Sequence, residues 1–581
     1  MSLAIYLGTT QATPDLPVRW HLGIVLIVAM DSGAIRSLVV LPSCVMDPSL
    51  FLSAVCLGVA NHAILNRFEP RGANAPFLFL TIQPMVLLLF FGGAFSPARL
   101  MWTYVVFLAS ISLSIVAYRL SPFHPLAQFK GPTIGKVSKL WGLWIAWRGY
   151  QYLYHKRLHD KYGPWVRIGP NELSVNDAHA VSQILSVGGL DKGRFYEAER
   201  HPSTPPSIVA LSGEAHAAKR RVWNRAMTSA SMREYEPRVA QRATRLISRL
   251  GDENGTVDLV AWFSLFALDL MGDLAFGGGF EMLEDGEDVA GVKDKIALFM
   301  ASASLAGQIP WIVPTLQLLP QVGRVIQEFN EFGQGLAIQR VVRGGSGVKD
   351  LWYHLADEAG LEKVQPILED SAADGIVAII AASDTTASAL SSLVWFLLSS
   401  PEYYRRVQLE LDTVFVDGDD PLDVSKHAQL RFLSACINET LRLHPPTPSI
   451  GTRQVEPTSA GRTFAARFIP AGTSMYTPPY ALHRNPAYFF PHPDQFVPDR
   501  WLPESNFAKH DTAAFIPFSL GSANCVGQKF AKRQLMMVTS LLLKSFNLRF
   551  AVGFDSEAWP GHIRDYFVAT RGPLLVDLTP R

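Results

Sequence analysis

The sequence predicts a mainly α-helical protein with small β-sheets, preceded by N-terminal transmembrane helices. Long helical patterns cover residues 374–399 and 528–544. Strand patterns such as residues 165–169 are short and lie between glycine and proline turns. Long apolar runs without charge occur near the N-terminus, where a polar stripe typical of soluble helices is missing. These three observations place a membrane region over residues 1–120 and a second domain over residues 121–581.

Composition narrows the function classes. The 581 residues carry 52 Lys and Arg against 51 Asp and Glu, so a formal net charge of +1 gives no reason to expect a nucleic-acid partner. Hydrophobic residues make up 48% of the chain, which directs attention to membrane segments. The four cysteines do not form a disulfide framework, and we expect the second domain to face a reducing compartment.

Three N-terminal segments are candidates for membrane crossings, at residues 50–65, 77–95 and 100–118. Residues 21–46 form a weaker candidate because Asp31 and Arg36 interrupt them. No basic segment opens the chain, so no cleavable signal peptide is expected. Arg67 and Arg71 place the first connecting loop in the cytosol, and two crossings later the second domain is cytosolic as well.

Two further apolar stretches have alternative interpretations. Residues 141–160 are aromatic and basic, and they form either a helix on the membrane surface or an ordinary first helix of the second domain. Residues 296–323 are uncharged but contain three prolines, which argue against a straight crossing helix. We expect a lid-like loop that dips into the membrane surface.

A glycine-flanked cysteine precedes the helical pattern at 528–544. Glycines allow a backbone to approach a large flat group, and a helix N-terminus favours a thiolate, which is a good axial ligand for haem iron. Phe518, Gly521, Cys525 and Gly527 match F-x-x-G-x-x-x-C-x-G, and this stretch resembles the haem-binding loop of the cytochrome P-450 monooxygenases. The family's usual Arg or His two residues before the cysteine is replaced by Ala523.

The helix at 374–399 carries Asp384 and Thr385 in an apolar setting. A buried acid and hydroxyl are costly unless they pair or act, and a Thr hydroxyl that bonds back to the helix opens it locally. The segment resembles the family's A-G-x-D-T-T oxygen-binding groove, with Ala382 in place of the glycine. By that resemblance, Asp384 and Thr385 deliver protons during oxygen activation.

Other motifs follow the family's order along the chain. Glu439 and Arg442 share a helix face, and with Arg500 downstream they resemble the family's buried structural ion-pair triad. His216, Arg220 and Arg453 resemble residues that bind the haem propionates. Of these, Arg453 is the substitute expected for the missing cation at 523.

The resemblance implies a membrane-bound haem-thiolate monooxygenase in the endoplasmic reticulum. Its expected cofactor is haem b, with electrons from NADPH through a separate reductase and with cytochrome b5 as a further candidate partner. The N-terminus resembles multi-crossing basidiomycete members that act on terpenoids and other secondary metabolites, so the expected substrate is lipophilic. Its expected wall segments are residues 194–209, 376–380, 448–451 and 566–568.

Two alternatives stay open from the sequence. A hydroperoxide isomerase or dehydratase of the same fold needs neither O2 nor a reductase. Such members commonly lack the acid–threonine pair, which this chain keeps. A membrane haem sensor or carrier without turnover is the second alternative, and NADPH consumption with purified reductase separates all three.

Overall fold

The computed structural model describes residues 3–7, 24–28, 46–68, 72–91, 96–199, 205–278, 280–316, 320–344, 349–505 and 510–581. They divide into two compact units, Met1–Ser121 and Pro122–Arg581. The chain is mostly helical with several small sheets, which confirms the predicted fold class. The elements of the first unit are β1 (Leu3–Leu7), β2 (Ile24–Val28), α1 (Pro48–Arg67), α2 (Asn74–Phe90) and α3 (Pro97–Leu120).

The helices of the first unit begin and pack for local reasons. Asp47 caps α1 by accepting a hydrogen bond from the Ser49 backbone N–H at 2.8 Å. At Gly58, α1 approaches α3 so closely that a Cβ would lie 2.8 Å from the Cβ of Ser110. Leu89 and Phe90 of α2 are 74% and 86% exposed, an apolar surface of the kind that lipid covers.

Among the described residues, four helices are long and apolar enough to cross a membrane, or five if the bent pair Val292–Gln308 and Pro310–Leu316 is counted as one span. Two of them, α1 and α3, correspond to the predicted crossings at 50–65 and 100–118. Residues 77–90 of the predicted crossing at 77–95 lie on α2, and residues 92–95 lie outside the described part, so this crossing stays a prediction. Of the weaker candidate 21–46, the structure describes Met46 and β2, which pairs antiparallel with β1.

The second unit contains seventeen helices in its described part. They are α4 (Thr133–Val137), α5 (Leu140–Trp147), α6 (Gln151–Tyr162), α7 (Ala178–Leu185), α8 (Gly213–Ala226), α9 (Ser229–Asp252), α10 (Leu259–Phe276), α11 (Met282–Asp285), α12 (Val292–Gln308), α13 (Val313–Leu316), α14 (Pro320–Arg343), α15 (Leu351–Leu355), α16 (Leu368–Leu398), α17 (Pro401–Val414), α18 (Arg431–Leu443), α19 (Pro479–Leu482) and α20 (Gln528–Ser545).

The strands of the second unit form small sheets. They are β3 (Trp165–Gly169), β4 (Glu172–Val175), β5 (Asp191–Lys192), β6 (Thr256–Asp258), β7 (Arg453–Gln454), β8 (Arg462–Phe464), β9 (Arg467–Ile469), β10 (Ser474–Tyr476), β11 (Phe546–Phe550), β12 (Arg564–Tyr566), β13 (Val568–Thr570) and β14 (Leu575–Pro580). The largest sheet has the order β3-β4-β10-β7-β5, and its last pair sets Lys192 opposite Arg453. Two cations therefore lie side by side at one sheet edge.

Helix α16 is the centre of the core. It packs along α10, and both pass the length and composition test for a crossing, yet 67% and 83% of their apolar windows are buried inside the protein. Small residues permit the close approach: a Cβ on Gly375 would lie 2.6 Å from the Phe276 ring. The Ser383 hydroxyl donates to the Ala267 carbonyl of α10 at 3.2 Å. These two helices are therefore interior elements of the second unit.

Two apolar stretches differ in detail from the structure that the sequence predicts. Residues 141–160 lie on α5 and α6, which break at Gly149, where φ is +68°. Residues 296–323 do not form a simple loop: α12 continues to Gln308, and the chain then bends by 103° into the segment Pro310–Leu316. Pro310 has no N–H to continue the helix, which is why the bend falls there. Trp311 is 43% exposed beyond it.

Candidate active site

A cavity of about 330 Å³ lies between α16, the loop before α20 and the β12–β13 hairpin. Its lining is mostly apolar, and its volume lies in the usual range for small-molecule sites. Each predicted wall segment contributes side chains. They include Tyr196, Ile208 and Val209, then Val377 and Ala378, then Ile450, and finally Phe567 and Val568.

The loop from Phe518 to Gly527 is fixed by its own backbone. The Cys525 N–H donates to the Phe518 carbonyl at 2.8 Å, and the Asn524 N–H donates to the Gly521 carbonyl at 3.2 Å. Gly521 has φ of +72°, and a Cβ there would lie 2.1 Å from the Leu185 carbonyl oxygen. Its glycine is therefore required by contact with α7, which corrects the expectation that it makes room for a flat cofactor.

The Cys525 side chain faces the cavity. Although it is exposed to that space, protein surrounds it, and burial raises the pKa of the Cys525 thiol. A hydrogen bond from the Gly527 backbone and the nearby Arg220 charge act in the opposite direction but do not outweigh burial. This corrects the expectation that the helix N-terminus suffices to favour the thiolate. A bound metal ion deprotonates a coordinating thiol outright.

Cations surround Ala523 on the other side of the loop. A second opening there is lined by Lys192, His216, Arg220, Arg221 and Arg453, with Asp191 as the one carboxylate in its lining. His216 is buried, and its pKa falls to about 4, first because of burial and then because of Lys192, Arg220 and Arg453. An unbalanced cluster of this kind favours an anion. The residues present therefore fit haem, with Cys525 on the iron side and the cluster on the propionate side.

The three predicted propionate residues are differently engaged. Arg453 is 7% exposed and donates to the Leu190 carbonyl at 3.5 Å, with no carboxylate partner among the described residues. Arg220 instead donates to the backbone oxygen and side-chain oxygen of Asn524, at 2.5 and 2.6 Å. Its guanidinium supports the cysteine loop, and its expected role toward a propionate stays a prediction.

Thr385 lines the cavity, whereas Asp384 does not appear in its lining. The Thr385 hydroxyl donates to the Ala381 carbonyl one turn earlier, at 2.6 Å, so its oxygen can still accept a hydrogen bond from the cavity. Burial raises the pKa of Asp384 to about 6, and Lys293 offsets this only partly. The two side chains therefore differ in position, and their expected shared role in proton delivery stays a prediction.

Glu439, Arg442 and Arg500 meet in a fully enclosed ion network. Arg442 donates twice to the Glu439 carboxylate at 2.8 Å, and Arg500 donates to it at 3.0 Å. Burial raises the pKa of Glu439, but the hydrogen bonds and charges of both arginines outweigh it, and the net pKa is lowered. The Trp501 indole N–H also donates to Glu439 at 2.9 Å. None of the three charged residues lines the cavity.

Sequence reasoning missed three residues of the site. Lys192 lines both openings, and its ammonium donates to the Ile208 and Val209 carbonyls. Gln534 accepts the Thr386 hydroxyl at 3.0 Å and so joins α20 to α16. Asn524 anchors Arg220. Only Asn524, next to Cys525, carried a signal in the sequence, since the other two are brought to the site by strand pairing and helix packing.

A glycine-flanked cysteine, an apolar cavity and a cationic cluster in a helical fold define a haem-thiolate protein. The family model for cytochrome P-450 matches residues 132–557. The chain is 33% identical to the cytochrome P-450 monooxygenase FCK2 of Fusarium pseudograminearum, over 92% of this chain and 98% of that relative. The chain therefore belongs to the cytochrome P-450 family, and it is an enzyme of the monooxygenase class.

Two further relatives carry more specific names. Averantin hydroxylase of Dothistroma septosporum is 29% identical over 90% of this chain and 97% of the relative. Tryprostatin B 6-hydroxylase of Aspergillus fumigatus is 31% identical over 83% of this chain and 85% of the relative. The resemblance stated from the motifs is confirmed at the level of the family, and the family implies haem iron as cofactor.

Proposed function

We propose that this enzyme hydroxylates a lipophilic secondary metabolite, of which a terpenoid is one class, at the endoplasmic reticulum membrane. Its electrons come from NADPH through a separate cytochrome P-450 reductase, with cytochrome b5 as a further donor. The apolar cavity beside Cys525 and Thr385 carries this proposal, because the release of water from apolar surfaces favours the binding of an apolar substrate. The names of the fungal hydroxylases support the same substrate class.

The residues divide the work between two sides of the cofactor. Cys525 would supply the thiolate that binds haem iron, and Arg453 and His216 would hold the propionates. When bound, haem iron supplies the reductive activation of O2. Ile208, Val209 and Phe567 hold the substrate in a space that excludes bulk water. The overall reaction is RH + O2 + NADPH + H⁺ → ROH + NADP⁺ + H2O, in which NADPH provides both electrons.

Proton supply falls to α16. The Thr385 oxygen accepts a hydrogen bond from water in the cavity while its own O–H donates to the Ala381 carbonyl. Asp384, with a pKa of about 6, exchanges protons readily near neutral pH because the best acid–base groups have pKa values close to the working pH. Since Asp384 does not line the cavity, we propose that it resupplies protons to the water bound at Thr385 and does not contact the substrate.

The defining experiment is a spectrum of the reduced protein with carbon monoxide. Cys525→Ala abolishes the thiolate-type Soret shift, because no other described cysteine lines the cavity. Cys436→Ala is the matched control: Cys436 is a buried thiol on α18 and should leave the spectrum unchanged. A thiolate spectrum in the Cys525 variant would overturn the haem assignment.

Substrate and partner need their own tests. Metabolite profiling of a host that expresses this chain with its reductase identifies the oxidised compound. Consumption of NADPH and O2 in a fixed ratio to product supports the hydroxylase. Turnover of a hydroperoxide without NADPH would point instead to the isomerase, and haem binding without any turnover to the carrier.

The membrane assignment also belongs to this proposal. Arg67 and Arg119 lie in the last turns of α1 and α3, where basic residues mark the cytosolic side. With α2 as the intervening crossing, both ends face the cytosol. Protease protection of microsomes tests this: the second unit should be cleaved without detergent, and its protection would reverse the orientation.

A further inference from the structure

A second, smaller cavity lies beside the active-site cavity. It encloses about 100 Å³ between α12, α14 and α16. Most of its lining is apolar, including the stacked rings of Phe299 and Phe329, whose centroids are 4.3 Å apart. Glu369 and Asn330 are among its few polar side chains. The space therefore has the chemistry of a site for apolar groups.

Residues 205–210, the partition segment, separate the two cavities. Ile208 and Val209 line the active-site cavity, whereas Pro205, Pro206, Ser207 and Ala210 line the second one. Val377 of α16 lines both. At the 3₁₀ turn Ile208–Ala210, the two cavities are therefore separated by a single stretch of chain.

Charged side chains hold the partition segment from opposite sides. The Asp374 carboxylate of α16 accepts a hydrogen bond from the Ile208 backbone N–H at 2.9 Å. From β5, the Lys192 ammonium donates to the Ile208 and Val209 carbonyls, both at 2.9 Å. The backbone groups of this turn are therefore satisfied by two side chains rather than by a helix or a sheet.

The Asp374 position is unusual for a carboxylate. It is 6% exposed, and burial raises its pKa despite the Lys219 ammonium 3.2 Å away. Burying such a group is unfavourable unless its hydrogen bonds are needed. Besides its ion pair with Lys219, Asp374 accepts a hydrogen bond from the Ile208 backbone N–H.

We propose that the second cavity is a further binding subsite for the lipophilic substrate, and that Asp374 is the positioning residue that closes it off by holding the partition segment. This inference rests on the proposed function. Release of the Ile208 N–H lets the segment move, joins the two cavities and admits a longer apolar molecule. Asp374 in this way sets the size of substrate that reaches the reaction site.

Amide hydrogen exchange tests the latch directly, without activity. In Asp374→Ala, exchange of the peptide covering residues 205–212 should accelerate about tenfold or more, with a smaller change in Asp374→Asn, because an amide oxygen accepts more weakly than a carboxylate. Asp370→Asn is the matched control. Asp370 lies one turn earlier and contacts the same Lys219 at 3.4 Å but makes no bond to the partition segment.

An internal reference distinguishes a local change in amide exchange from destabilisation of the whole second unit. The β3–β4 pair, in a different part of the second unit, should exchange at the parent rate in every variant. Equal acceleration there would show that Asp374 merely stabilises the fold. Lys192→Met, which releases the segment from its other side, should reproduce the local acceleration if Asp374→Ala does not fold.

Iron-binding azoles of different size test the subsite. Imidazole, which needs little space, should bind the variants as it binds the parent. A bulky triaryl imidazole should bind Asp374→Ala about tenfold faster or more tightly, and Phe329→Trp, which fills the second cavity, should cancel that gain. Equal changes for both azoles, or no effect of Phe329→Trp, would overturn the subsite.

Different measurements test haem binding and the contact between Asp374 and the partition segment. If the protein does not bind haem, the carbon monoxide spectrum shows it, and the exchange experiment still tests whether Asp374 holds the segment. If haem binds normally but the partition segment is indifferent to Asp374, the proposed function stands and this inference falls.

Discussion

Arg220 donates from two nitrogens to Asn524, one bond to its backbone oxygen and one to its side chain. Asn524 immediately precedes Cys525, so this pair holds the cysteine loop against α8. Ala523 stands two residues before the cysteine, where the resemblance implies a cation for a haem propionate, so we expect a neighbouring residue to take that role. Because Arg220 is already committed to the loop, Arg453 is the cation best placed for it.

Arg453→Ala should therefore lower haem retention. A charge-assisted hydrogen bond to a partly buried carboxylate is worth roughly 1.5–3 kcal/mol, so we expect about ten- to hundredfold weaker binding. Haem transfer to apomyoglobin measures it. Ala523→Arg added to this variant should restore part of the loss, and Arg467→Ala, an exposed arginine away from the cavity, should show none. Parental retention in Arg453→Ala would mean that another group holds the propionate.

Thr385→Ala should uncouple NADPH use from product while leaving haem in place. Positioned proton transfer contributes about a hundredfold or more, so product should fall at least about tenfold and hydrogen peroxide should rise. Thr386→Val is the matched control, because that hydroxyl is committed to Gln534. It should lower stability by about 1–3 kcal/mol and change coupling little. Unchanged coupling in Thr385→Ala would assign Thr385 to helix packing.

Asp384 should make stability depend on pH. Burial raises its pKa in the folded protein to about 6, above the unfolded value of 3.8, so the folded state holds its proton longer. The folded protein should therefore lose stability as pH rises from about 4 to 6, with little change above. The loss is at most about 3 kcal/mol. Thermal unfolding of Asp384→Asn should lack this trend, and an identical pH profile in both proteins would contradict the shift.

Glu439→Ala should be the most destabilising of these changes. It leaves two buried guanidinium groups without their carboxylate, a loss of about 3–5 kcal/mol. Denaturant unfolding measures it. Glu504→Ala provides the comparison, because the pair that Glu504 forms with Arg431 is solvent-exposed and should contribute no more than about 1 kcal/mol. Similar effects of both substitutions would show that the buried network is dispensable.

The helices were predictable where local patterns are strong. The 3.6-residue period placed the end of α16 and both ends of α20 closely, because this signal acts within one or two turns. The limits of α2 and the helical course of α12 were not predicted. Apolar composition alone does not say where a helix ends or bends, since that depends on which hydrogen bonds its neighbours supply.

The sequence by itself determined the family, the candidate cysteine for the iron and the ion-pair motif, because each depends on residue types at fixed short spacings. Only the tertiary structure decided how Arg220, Asp384 and Gly521 are used. Each interacts with a residue of another element: Arg220 with Asn524, Asp384 with Lys293 of α12, and Gly521 with the Leu185 carbonyl. The same holds for Lys192 and Asp374, whose charges meet at Ile208 from a strand edge and a central helix. Such contacts depend on how separate elements pack, and no local sequence pattern encodes that packing.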